Sequence, residues 1–166
     1  MVDSYFKRPV FYDYLIAFLA CGVSYYFYCN KGFNLPNAGH TFDTATGIST
    51  IALTLAGFIL TLLTVLITFK MGAKTPNEPS YENIPLFDLF FSTNLYFQTI
   101  DLLKGCIKSL IFVSVLGFSL KILLSDCYMK YLFFSNILGL IIITMTLWRS
   151  LLILTKIIDL QKNNAG

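Results

Sequence analysis

The stretch Ile48–Phe69 reads ISTIALTLAGFILTLLTVLITF. Its 22 residues contain no Asp, Glu, Lys, Arg, His or Pro. About 20 apolar residues in helical form cross the hydrocarbon core of a bilayer. The strict alternation that a membrane barrel strand requires is missing. The run therefore predicts a transmembrane α-helix, and it sets the fold class for the rest of the chain.

Three more apolar runs lie outward from it. Pro9–Cys29 is rich in aromatic residues, Gly105–Leu124 follows, and a fourth run starts at Tyr131 and stays apolar to Ile158, interrupted by Trp148 and Arg149. These predict an all-α integral membrane protein of four transmembrane helices in two hairpins, with residues 1–166 as a single transmembrane domain. Composition agrees. Hydrophobic residues make up 56% of the 166, charged residues only 13%, and mean hydropathy is +0.70. That charged share is about half the globular norm. A chain this short cannot hide so much apolar surface from water, so its expected environment is the lipid bilayer.

The net charge of +3 is small and its Lys and Arg residues are dispersed, which speaks against direct nucleic-acid binding. Lys7 and Arg8 precede the first run like the start of a signal peptide. Tyr25, Tyr26, Phe27 and Tyr28, however, occupy the place where cleavage needs small residues, so the run reads as an uncleaved anchor. Orientation follows the basic residues. Lys7, Arg8, Lys70, Lys74, Lys104, Lys108, Arg149, Lys156 and Lys162 fall on one side, and Lys31, Lys121 and Lys130 on the other. Both termini and the middle loop are therefore expected in the cytoplasm, with Trp148 and Arg149 at the inner interface.

The middle segment 70–104 opens with a turn-rich linker, Met71–Ser80. After Pro85 comes LFDLFFSTNLYFQTIDLLK, in which Leu86, Leu89, Phe90, Phe97, Ile100 and Leu103 recur at spacings that suit an apolar helix face. This stretch either extends helix three into the cytoplasm or lies flat in the interface, and projection is the favoured reading. An apolar face of this kind predicts a cytoplasmic protein partner. The tail 150–166 contains SLLILTKIIDLQK, also amphipathic and able to pack beside it.

Helix two carries a second pattern. Gly47, Thr50, Thr54, Gly57, Thr61, Thr64 and Thr68 repeat at steps of three and four. Ala45, Ser49, Ala52 and Ala56 form a second row, read as lying next to it. Small residues let membrane helices approach closely, and threonine can bond to its own helix. The first row is thus expected to be a helix-packing face, with a hydroxyl-lined oligomeric pore as the alternative.

Few groups point to chemistry. Asp13 lies one turn into helix one, within reach of Lys7, Arg8 or a base from helix four. Lys121 can snorkel outward, and Asn136 suits a packing hydrogen bond. A proton or ion relay would need an ionisable group near mid-membrane, and none is found, so a secondary transporter is disfavoured. His40, near Asp43 in the first outer loop, lacks further metal ligands. Phosphate-loop, nucleophile-elbow and metalloprotease motifs are missing. No cofactor, metal or enzymatic activity is expected. Cys21 and Cys106 read as inert, whereas Cys29 and Cys127 both face outward. They are either free or joined as a disulfide in an oxidising periplasm.

With two hairpins, a phenylalanine-rich cytoplasmic helix and AGFILTLLTVLITF in helix two, the chain resembles small four-span bacterial membrane proteins of defence loci, in particular the membrane subunit of the Kiwa antiphage system. The resemblance implies a homo-oligomeric sensor, of tetrameric order, holding a soluble effector at the bacterial inner membrane. The functional expectation is a non-enzymatic subunit that oligomerises and engages a cytoplasmic partner. The alternative is a pore or channel.

Overall fold

The computed structural model describes residues 9–32, 36–72, 94–125 and 128–162. They form four helices: α1 (Pro9–Lys31), α2 (Ala38–Gly72), α3 (Asn94–Leu123) and α4 (Met129–Lys162). All four are long and apolar enough to cross a membrane.

Local chemistry sets the ends. Pro9 opens α1, where its missing N–H costs nothing. Gly32 follows the last residue of α1 with φ of 60°, the left-handed conformation glycine adopts after a helix. Asn37 caps α2, its carbonyl accepting from Thr41 N at 3.1 Å and from the Thr41 hydroxyl at 3.3 Å.

Two helices run further than hydropathy suggested. α2 starts at Ala38 rather than Ile48, so His40 and Asp43 stand on a helix and not in a loop. The cap at Asn37, not the onset of hydrophobicity, decides where it begins. α4 continues to Lys162, so the tail is the same helix. No glycine or proline interrupts residues 149–162 to end it sooner. In α3, residues 94–104 continue into the apolar run without a break at Gly105, as the projecting reading requires. Residues 86–93 lie outside the described residues.

α3 and α4 each touch the other three helices; α2 packs most extensively on α3, and α1 lies chiefly against α4. Within α4 the buried positions Leu132, Asn136, Gly139, Ile143, Thr146, Ser150 and Ile153 keep a heptad rhythm. In α2 the corresponding seam is Ala45, Ser49, Ala52, Ala56, Ile59, Leu63 and Leu66. Its N-terminal half is built of small residues and its C-terminal half of large ones. The tightest approaches follow from this. A side chain at Gly117 would collide with the Ser49 hydroxyl, and one at Gly139 would sit 3.2 Å from Ile48 and 3.3 Å from Val113.

The row Gly47, Thr50, Thr54, Gly57, Thr61, Thr64 and Thr68 is exposed along its whole length. It is therefore not the packing face within the chain. At 3.6 residues per turn the two rows lie on nearly opposite sides of α2, not side by side. The hydroxyls are satisfied locally: Thr50 donates to the Thr46 carbonyl at 2.9 Å, Thr64 to Leu60 at 3.0 Å and Thr68 to Thr64 at 3.0 Å. Such back-bonding lets threonine stand on an apolar surface without an unpaired donor.

Candidate functional site

The strongest concentration of chemistry lies where α1, α3 and α4 meet, one turn into α1. Asp13 and Arg149 are buried there, with side chains only 2% and 1% exposed. Arg149 Nη1 donates to Asp13 Oδ2 at 2.8 Å. Its Nε and Nη2 both donate to Cys106 Sγ, each at 3.3 Å. One guanidinium thus ties three helices together.

Each helix presents its residue through its own buried row. Asp13 shares the inward side of α1 with Pro9 and Ala17, four residues before and after it. Cys106 lies between Leu103 and Leu110 in α3, and Arg149 follows Thr146 in α4. One turn away, Ser109 donates to the Tyr14 hydroxyl at 3.2 Å. A side chain at Gly105 would stand 3.4 Å from Val10, so α1 and α3 are close at this end.

Of the bases the sequence offered Asp13, Lys7 and Arg8 lie outside the described residues, and Arg149 of α4 meets it. Arg149 itself was expected at the inner interface beside Trp148. Trp148 is exposed, but Arg149 turns inward because its fork meets two acceptors there. Cys106, read as inert, is one of them. A fixed guanidinium between a carboxylate and a thiol is suited to holding helices in register. Among the described residues no cluster of three or more potential metal ligands occurs.

The other predicted residues scatter. Ile100 is buried in the bundle core with Tyr96 and Leu103, so it is spent on packing and is not free for a partner. Phe97 is exposed, with Lys70 Nζ 4.0 Å from its ring centroid and 4.3 Å from that of Tyr96. Leu86, Leu89 and Phe90 lie outside the described residues, as does Cys127; Cys29 is exposed at the end of α1. Lys121 does not snorkel away but donates to Thr46 Oγ1 at 2.6 Å, bridging α3 to α2. Asn136 makes the expected packing bond, donating to the Thr41 carbonyl at 3.0 Å.

Sequence reasoning missed the Asp13–Arg149–Cys106 grouping as a unit. One signal was available: an acid in the first apolar run and a base in the last, each too costly to leave unpaired in lipid. Fold and site together define a bundle of four helices, each long and apolar enough to cross a membrane, pinned by a buried ion pair. Comparison with protein-family models, with curated proteins and with solved structures gives no match.

Proposed function

We propose that the chain is a non-enzymatic, multi-pass subunit of a bacterial inner membrane that self-associates and recruits or signals to a cytoplasmic protein. A membrane sensor in phage defence is the setting the family resemblance implies. The observation that carries self-association is the exposed row on α2, Gly47 to Thr68. A side chain at Gly47 or Gly57 would meet nothing within 4 Å. Two such rows from neighbouring copies can come into backbone contact, the geometry small residues give to membrane helices. The cytoplasmic contact rests on exposed Phe97 together with Leu86, Leu89 and Phe90 before it. Both termini and the 70–104 loop are cytoplasmic in this reading, following the basic residues.

Light scattering of the detergent-solubilised chain tests it. The wild type should have the mass of an oligomer, Gly57→Leu should shift it to a monomer, and Leu60→Ala should not. A monomeric wild type, or equal behaviour of the two variants, overturns the proposal. Pull-down with Phe90→Asp and Phe97→Asp tests the partner arm, which fails if every stable partner survives.

The alternative is a pore around the same row. It is favoured by the row's length, 21 steps or about 32 Å, the thickness of a hydrocarbon core. Ion flux through reconstituted protein, altered by Thr61→Leu, would support it; no flux under any condition would reject it.

A further inference from the structure

We infer that α1 is a detachable strap whose docking on α3 and α4 is controlled by the Asp13–Arg149 ion pair, with α2, α3 and α4 remaining packed when it leaves. The inference rests on the membrane reading above but not on oligomer formation or on a cytoplasmic partner.

The four helices are unequally held. Of the apolar window of α1 only 11% is buried, against 28% in α2, 28% in α3 and 39% in α4. Phe11, Leu15, Ile16, Phe18, Leu19 and Val23 all point outward. In lipid those side chains are equally well solvated whether α1 is docked or free, because no hydrophobic drive separates the two states. Docking must therefore come from the inward row, in which Pro9, Asp13 and Ala17 are buried and Val10, Tyr14, Cys21 and Ser24 half-buried, with Tyr14 accepting from Ser109 of α3 at 3.2 Å. Among the contacts described between α1 and the helices α3 and α4, the charged one dominates.

At its outer end α1 is clasped on α4 by Phe134, whose carbonyl accepts from Cys21 Sγ at 3.7 Å and whose ring stands 5.5 Å from Tyr25 and 6.0 Å from Tyr28. These contacts are neutral and weak. At the inner end a full charge pair is closed in a dry site, where losing one partner is far more costly than losing a neutral contact. The Arg149 side of that site does not depend on α1. Its Nε and Nη2 are held on Cys106 of α3, so the socket persists when the carboxylate departs. The α2 seam against α3, through Ala52 and its neighbours, is likewise made without α1. Charge at Asp13 therefore sets whether the strap is closed, and opening uncovers Arg149 and Cys106.

The test is a short pulse of membrane-permeant maleimide on the full chain in lipid nanodiscs, read site by site by mass spectrometry. The chain carries Ala17→Cys as a reporter on the strap and Ala52→Cys as a reporter on the α2–α3 seam, both wholly buried now, together with native Cys106. Asp13→Asn should raise labelling at position 17 and at Cys106 by roughly ten-fold or more, with position 52 unchanged. Asp13→Glu should bring both rates back toward the starting values. No rise at either site overturns the inference. A rise at Cys106 alone reflects altered thiol acidity and overturns it as well. Equal rises at all three sites mean that the pair holds the whole bundle, and the strap is rejected.

Discussion

At the scale of single residues, Asp13 and Arg149 carry the highest stakes. Breaking a buried pair by removing one member costs about 3–5 kcal/mol in comparable sites. Asp13→Leu and Arg149→Met should each lower the unfolding midpoint of the solubilised protein strongly. The double variant should recover most of the loss, since an apolar pair of similar volume needs no compensation. Additive losses in that cycle would show that the two charges do not act as a pair. A neutral counterpart sits one turn along α4. Thr146 is wholly buried and its hydroxyl lacks a hydrogen-bond partner among the described residues. Thr146→Val keeps the shape and removes the orphan, so it should stabilise by about 1 kcal/mol. A marked loss of thermal stability would mean that the hydroxyl is in use.

At the scale of elements, α2 shows how two heptad rows on one helix can be confused. Both recur at steps of three and four, and both are small or hydroxylated over much of their length. Periodicity says that a helix has a face but not which neighbour the face meets. Alanine and serine take the inner side because they bring backbones closer than β-branched threonine does. The sensitive glycine within the chain is therefore Gly117, opposite Ser49 and Ala45, and not Gly57. Gly117→Leu should cost about 1–3 kcal/mol by overpacking. Gly57→Leu should leave the melting of the isolated chain unchanged and act only on assembly. Comparable destabilisation of the single chain by both would contradict this placement of the two rows.

At the scale of the whole molecule, the bundle is asymmetric. α2 and α3 share the most extensive seam, α4 is the most buried helix and α1 the least. With 34 residues, α4 is about 51 Å long, well beyond a 30 Å hydrocarbon core. In the proposed membrane setting its surplus, like that of α2, would extend into the interfaces and water. The proposed orientation puts residue 37 outside and residue 77 inside. Impermeant thiol probes on Asn37→Cys and Asn77→Cys, in a background without other exposed cysteines, should react from opposite faces of sealed vesicles. Reaction of both from one face would end the topology.

Four membrane-length apolar helices and their order were legible in the runs of the sequence, because an apolar run of about 20 residues has few other uses. Asn136 as a packing residue was legible too, since a lone amide among apolar neighbours must find a carbonyl. Helix ends were less so. Ala38 and Lys162 depend on a cap and on the want of a breaker, which hydropathy does not weigh. Neither which α2 row faces inward nor which base meets Asp13 could be read along the chain. Residues 13, 106 and 149 are joined only because three helices cross at one depth, and sequence separation carries no trace of that crossing. Ile100 makes the same point in reverse: its spacing marked an apolar face, and tertiary packing decided that the face was already filled.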